Sequence, residues 1–142
     1  MQLTDLALNQ ALGLRVAPAG APHLLELPLT PLLQNHLGTM HAAAQFALAE
    51  AASAECLRRE FPALAATVLP VVRGVAVKYR RPATGDLFAF AQTDDATRQN
   101  LAASLAARPA ARATVNVELK DAAGTLTFSG QFEWFIAKLS AP

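Results

Sequence analysis

The sequence predicts an α+β domain in which a curved antiparallel sheet wraps around one long, buried central helix. A helical segment from about residue 40 to residue 60 is apolar nearly all round, and a helix of that kind is usually enclosed by other elements. Within residues 42–54 its polar side chains are Gln45, Glu50 and Ser53. Several strand-like runs follow this helix, and strands without alternating helices favour an antiparallel α+β arrangement.

Periodicity and turn residues predict the remaining elements. Before the central helix we expect a short helix, two strands and a loop, at residues 4–12, 14–17, 23–29 and 31–41. After it we expect strands at residues 66–80, 86–93, 113–120 and 125–138. The Ala-rich residues 95–110 fit either a short helix or a loop. The chain contains no internal repeat or linker, so we expect a single domain over residues 1–142.

The composition narrows the class of protein. The chain is 53% hydrophobic and 16% charged, which is enough apolar residues for a real core and suggests that some surface is buried against another subunit. A net charge of +1 gives no global attraction to nucleic acid. The N-terminus lacks the features of a signal peptide, and no apolar run is long enough to span a membrane. We therefore expect a cytoplasmic protein, without nucleic acid or membrane as a partner.

Cysteine and histidine give no sign of a metal or redox site. Cys56 is the single cysteine, so no intramolecular disulfide can form, and it is interpreted as a small hydrophobe on the central helix. The three histidines are scattered and form no ligand cluster. The sequence predicts no metal and no organic cofactor.

Glu50 is the first candidate for chemistry, because it lies in the middle of the apolar helix. Apolar surroundings disfavour the charged form of a carboxylate and raise its pKa, which suits it to act as a general base. The alternative is a structural Glu50 that faces solvent or pairs with Arg58 or another base.

The loop before the central helix holds a second group of candidates. Asn35 and His41 bracket Gly38, and the loop leads to a helix N-terminus, whose free N–H groups can stabilise an oxyanion. Asn35 is either a residue that orients a carbonyl or a turn residue, and His41 is either functional or a helix-start residue. Nine residues rotate an ideal helix by about 900°, so His41 and Glu50 face opposite ways and cannot form a simple pair.

A cluster of basic residues follows the central helix. Its members are Arg73, Lys78, Arg80 and Arg81. They could hold the phosphates of a nucleotide-bearing substrate, or they could form a solvated strand face and turn.

The residues from Asn35 to Glu50, NHLGTMHAAAQFALAE, resemble the signature of the hotdog-fold thioesterase superfamily. The similarity is greatest to phenylacetic-acid-pathway-like acyl-CoA thioesterases and a related uncharacterised group, and length and element order also agree. The family pattern has an Asn, a Gly, His-Gly-Gly and then an apolar helix that ends in Leu-Ala-Asp or Leu-Ala-Glu. This chain departs from the pattern at Ala42 and Ala43, which replace the two glycines. On the next strand, at the position where relatives often have a hydroxyl side chain, this chain has Val68, which follows Thr67.

The resemblance implies hydrolysis of an acyl-CoA or another acyl thioester. Glu50 would be the general base or nucleophile, and the N–H of Ala42 would be the oxyanion donor. Asn35 would position the carbonyl or water, and His41 would support the loop. The expected substrate-binding residues are Gly38, Gln45, Ser53, Arg73, Arg80 and Arg81.

Two other functions remain open at this point. One is a non-catalytic, acyl-thioester-binding or regulatory hotdog protein. The other is a hydratase or dehydratase, which is disfavoured because that chemistry in this fold typically uses a His on the central helix. Ala42 and Glu50 are separated by about 12 Å of helical rise, too far to serve one carbonyl. Two antiparallel helices at a two-fold axis would solve this, so we expect a homodimer or a dimer of dimers.

Overall fold

The computed structural model describes residues 2–139. A 3-10 turn at Leu3–Asp5 precedes the first helix, and another at Pro31–Leu33 lies in the loop before the central helix. The helices are α1 (Ala7–Leu12), α2 (Ala42–Glu60) and α3 (Asp95–Ala107). The strands are β1 (Arg15–Val16), β2 (Leu25–Leu27), β3 (Val68–Tyr79), β4 (Leu87–Thr93), β5 (Ala110–Lys120) and β6 (Leu126–Lys138).

The six strands form one antiparallel sheet in the order β1-β2-β4-β5-β6-β3. Helix α2 packs against β2, β4, β5 and β6, so the sheet curves around it as the sequence predicts. The α+β hotdog fold with a central helix is confirmed. Strand β3 pairs only with β6 among the described residues, and it therefore forms an open edge of the sheet.

The core lies between α2 and the concave face of the sheet. Leu48 of α2 and the rings of Phe128 and Phe132 on β6 are fully buried there. Small residues such as Ala49 and Ala52 let the helix approach the strands closely. One stripe of α2 is only half-buried in the single chain. That half-buried stripe consists of Phe46, Ala47, Glu50 and Ala54.

Several boundaries differ from the predicted ones. Residues 95–110, which the sequence left undecided, begin with α3, because the Asp94 carboxylate accepts a hydrogen bond from the Thr97 N–H and caps the helix. Strand β5 begins at Ala110, before the predicted residue 113. The helix predicted at 4–12 is interrupted at Leu6, which has extended backbone angles.

Candidate active site

The carboxylate of Glu50 lies on the half-buried stripe of α2. Among residues 2–139, no hydrogen bond or ion pair reaches it. Burial raises the pKa of the Glu50 carboxyl above its ordinary value of 4.5. A carboxylate that is partly desolvated and unpaired is a stronger base than an exposed one, and such groups concentrate at functional sites.

The alternative partner for Glu50, Arg58, is committed elsewhere. Its guanidinium donates two hydrogen bonds to Glu55, at 2.8 and 2.7 Å. Arg59 also donates to Glu55, at 2.6 Å. Burial raises the pKa of Glu55, but hydrogen bonds and charges from both arginines outweigh it and leave that pKa lowered. Glu55 is therefore the structural carboxylate of α2, and the two glutamates of the helix have opposite environments.

The N-terminus of α2 is exposed and offers free donors. His41 is the N-cap residue, and its Nδ1 accepts a hydrogen bond from the Ala43 N–H at 3.0 Å. The N–H groups of Ala42 and Ala44 have no partner among the described residues. Together with the positive end of the helix dipole, the exposed N–H of Ala42 provides an anion-stabilising donor. His41 organises this end of the helix by capping it.

The loop that leads to α2 is a tight turn held by Asn35. The Oδ1 atom of Asn35 accepts from the N–H groups of Leu37 and Thr39, and its Nδ2 donates to the Thr39 hydroxyl at 2.9 Å. Gly38 has φ 75°, a left-handed conformation that glycine adopts without strain. The second amide hydrogen of Asn35 is not used within the described part of the chain. It is the one group of this side chain that could reach an outside acceptor.

Gln45 and Ser53 are both buried side chains of α2. The Nε2 atom of Gln45 donates to the Met40 carbonyl at 3.4 Å, while its Oε1 has no partner among the described residues. The Ser53 hydroxyl donates to the Glu50 carbonyl at 2.7 Å and accepts from the Trp134 indole at 3.1 Å. Ser53 is fully enclosed, so its hydroxyl joins the Glu50 turn to β6 and is not exposed to a substrate.

The basic residues separate into two locations. Arg80 and Arg81 follow β3, close to the N-terminus of α2, because the Met40 N–H bonds to the Ala83 carbonyl at 2.8 Å. Arg73 lies over the ring of Phe135, 4.8 Å from its centroid, at the bulge in β3. Six residues of strand, roughly 20 Å, separate Arg73 from Tyr79. The structure therefore does not bring Arg73 to the site of Arg80 and Arg81 within one chain.

Tyr79 lies at the candidate site, although the sequence did not single it out. Its hydroxyl donates a hydrogen bond to the carbonyl of Ala42 at 3.0 Å, and its ring packs edge-on against Phe128. Tyr79 thus fixes the N-terminus of α2 to the end of β3. The sequence offers little sign of this contact, because Tyr79 and Ala42 are 37 positions apart and come together only when the sheet forms. The one hint was the position of Tyr79 directly before the two arginines.

Cys56 is buried in α2, with 2% of its surface exposed. Its Sγ contacts Glu60 Oε1 at 3.3 Å. Burial, followed by the nearby Glu60 charge, raises the pKa of the Cys56 thiol to about 12. Cys56 therefore packs as a small hydrophobe, as the sequence predicts.

Within residues 2–139, no three His, Cys, Asp or Glu side chains are grouped so as to hold a metal ion. No helix in this part of the chain has the length and apolar character that a membrane crossing requires.

The antiparallel sheet curved around a central helix places the chain in the hotdog-fold thioesterase superfamily. More particularly, the chain belongs to the family described as "Domain of unknown function (DUF4442)", whose model matches residues 21–136. No curated protein matches the chain.

Solved structures from several bacteria share the fold. PA5026 from Pseudomonas aeruginosa, a protein of unknown function named a probable thioesterase, superposes with a TM-score of 0.81 at 25% identity, over 96% of this chain and 91% of that one. The thioesterase HI1161 from Haemophilus influenzae gives 0.76 at 15% identity, over 99% and 89%. BH2602 from Bacillus halodurans, solved with CoA, gives 0.70 at 18% identity, over 91% and 74%.

Proposed function

We propose that this protein is a single-domain hydrolase of acyl-CoA or other acyl thioesters. One observation carries the proposal: Glu50 is half-buried and its carboxylate is unpaired among the described residues, with its pKa raised by burial. The similarity to structures named as thioesterases supports the same reaction class.

The proposed site is shared between two copies of the chain. Ala42 and Glu50 are eight residues apart, about 12 Å of helical rise, whereas a base and an oxyanion donor must both lie within about 3 Å of the reacting atoms. The donor for one Glu50 is therefore Ala42 of the partner subunit. Two equal sites follow from the two-fold symmetry of such a dimer.

Strand β3 is the surface that we assign to the dimer. It is an open edge, and Val71, Val72 and Val75 on it are exposed. Long apolar edges of this kind pair with another strand unless they are protected. Antiparallel pairing of two β3 strands sets the Tyr79 end of one beside the Val68 end of the other. Because Tyr79 holds Ala42, this pairing carries the helix N-terminus of the partner towards Glu50.

The reaction then follows from the groups in place. The Glu50 carboxylate takes a proton from water as the water oxygen attacks the thioester carbonyl carbon, and the partner's Ala42 N–H stabilises the resulting oxyanion. Collapse of this intermediate breaks the C–S bond, and the thiolate takes the proton from Glu50. In the alternative route with Glu50 as nucleophile, its carboxylate attacks the thioester carbonyl carbon, the C–S bond breaks and the thiolate leaves. Water then hydrolyses the resulting anhydride, which releases the free acid and restores the Glu50 carboxylate, and the thiolate takes up the proton set free. The remaining Asn35 amide hydrogen orients the carbonyl or the water.

Coenzyme A is the carrier that the basic residues favour. Arg80 and Arg81 are exposed and lie at the same end of the molecule as the N-terminus of α2. Arginine forms bidentate contacts with phosphate. BH2602, a structural relative, was solved with CoA.

A non-catalytic acyl-thioester-binding protein is the second candidate. One feature favours it: Ala42 and Ala43 place methyl groups where a substrate would approach the N-terminus of α2, a space that glycine would leave open. In that case the site would bind an acyl-CoA and release it unchanged.

A panel of acyl-CoA substrates, with release of the free thiol as the readout, tests the proposal. Glu50→Gln should lower kcat by about 10²–10⁴-fold while substrate binding survives. Glu55→Gln is the matched control, since it makes the same change on the same helix at the structural glutamate, and it should keep its turnover per folded molecule. Normal turnover in a folded Glu50→Gln protein would exclude this mechanism. Binding without hydrolysis in the wild type would favour the second candidate.

A further inference from the structure

An apolar pocket of about 280 Å³ lies at the C-terminal half of α2. Ala54 and Leu57 of α2, with Phe61 just after the helix, form one wall, and Val68 of β3 and Ile136 of β6 form the wall on the side of the sheet. Ligand sites are typically concave and lined mostly by apolar side chains, so an apolar pocket of this size suits a bound apolar group. In the single chain Ala65 and Pro70 on its rim are exposed, so the pocket opens to the surface there, next to the edge strand β3 that we assign to the dimer.

The pocket begins one helical turn from Glu50. Ala54 and Leu57 follow Glu50 by four and seven residues, which places all three on one face of α2. The rise from Glu50 to Ala54 is about 6 Å. A thioester whose carbonyl lies at Glu50 would thus direct its acyl tail along this face into the pocket.

Charge is nearly absent from the lining. Arg58 is the one charged residue among the described lining residues, and it contributes its aliphatic stem, because its guanidinium is turned to Glu55. The pocket therefore suits a neutral, apolar group and offers no dedicated partner for a terminal carboxylate.

We propose that this pocket binds the acyl tail and selects thioesters of medium-length aliphatic acids; the inference rests on the proposed function for the position of the carbonyl. A cavity of roughly 150 Å³ holds benzene, so about 280 Å³ takes an apolar group of roughly ten carbon atoms. Each methylene that enters the pocket should tighten binding about fourfold until the pocket is full.

The test is a chain-length profile with acetyl-, butyryl-, hexanoyl-, octanoyl-, decanoyl- and palmitoyl-CoA. In the wild type, kcat/KM should rise steeply with length and stop rising near the decanoyl group. Ala54→Leu fills the pocket from the helix and should move the optimum to shorter chains, and Leu64→Ala should move it to longer ones. Ala103→Leu, the same enlargement at an exposed position of α3, is the control and should leave the profile unchanged.

A second measurement separates this inference from the proposed function. The dissociation constants of the same acyl-CoA series are measured by calorimetry on the Glu50→Gln protein, which should not hydrolyse them. Length-dependent binding that Ala54→Leu shortens supports the pocket even if the wild type shows no hydrolysis. Hydrolysis with a profile that neither variant moves overturns the pocket and leaves the proposed function standing. A preference for glutaryl-CoA over hexanoyl-CoA, or an Ala54→Leu protein altered only in subunit association, also overturns it.

Discussion

The hydroxyl of Tyr79 donates a hydrogen bond of 3.0 Å to the carbonyl of Ala42, across 37 positions of sequence. This contact ties the open edge of the sheet to the N-terminus of the central helix. The strand that we assign to the dimer and the donor that we assign to the oxyanion are therefore mechanically linked.

Tyr79→Phe removes this hydrogen bond and keeps the ring against Phe128. We expect a loss of about 0.5–1.5 kcal/mol in the free energy of unfolding, at the low end because the contact is exposed. We also expect kcat to fall while KM changes little, since the donor of the neighbouring subunit loses its fixed position. Steady-state kinetics and chemical denaturation on one preparation measure both effects. If kcat is unchanged, Tyr79 has a purely structural role.

The raised pKa of Glu50 gives a stability change of known sign. Between the ordinary value of 4.5 and the raised value, the folded state binds more protons than the unfolded state, so stability falls as pH rises through that window. Glu50→Gln removes this loss. The Tm of the variant should exceed that of the wild type at neutral pH, and the difference should disappear below pH 4.5.

Glu55→Gln should show the opposite sign. Burial raises the pKa of Glu55, but Arg58 and Arg59 lower it further than burial raises it, so its charged form stabilises the fold. The wild type should be more stable than this variant at neutral pH and should lose the advantage as pH falls through the lowered pKa. Melting curves of both variants across pH measure the pair. A lower Tm for Glu50→Gln than for the wild type at neutral pH would contradict the environment described for Glu50.

The open edge of the sheet predicts an association that one charge can disrupt. Val75→Lys places a cation on exposed β3, which is how natural proteins protect such edges. We expect the variant to be monomeric by light scattering and to lose most of its activity. Leu8→Lys, at another exposed apolar side chain, is the control and should remain associated and active. A wild-type monomer with full activity would refute the shared site.

Arg80 and Arg81 predict a salt-dependent affinity for coenzyme A. Changing both to Ala should raise KM for an acyl-CoA more than it lowers kcat, and should weaken the salt dependence of KM. Arg73→Ala is the comparison, because Arg73 lies roughly 20 Å along β3 from Tyr79. Equal effects of the two changes would show that phosphate is not bound where we place it.

Local signals account for what the sequence predicted well. The central helix was expected at about residues 40–60 and is found at Ala42–Glu60, because a capping histidine and Phe61-Pro62 mark its ends. Helix α3 could not be predicted with the same certainty, since its alanines carry little periodicity. Its Asp94 cap became evident only from the hydrogen bond to Thr97.

Long-range contacts account for what the sequence could not give. Glu50 stood out because of its apolar neighbours, but whether another side chain pairs with it depends on how the strands pack around α2, and its carboxylate is unpaired among residues 2–139 only as a result of that packing. The separation of Arg73 from Arg80 follows from their placement on an extended strand and beyond it. The half-buried stripe of α2 is set by how far the sheet wraps around the helix, which no local pattern encodes.

The burial of Cys56 makes the folded chain unreactive towards thiol reagents. It is the single cysteine, it is 2% exposed, and a thiol with a pKa of about 12 holds almost no thiolate at neutral or mildly alkaline pH. A disulfide reagent added to the folded protein should therefore stay colourless until a thioester is cleaved. Any colour that develops reports coenzyme A released by the reaction, because the native protein contributes no background signal.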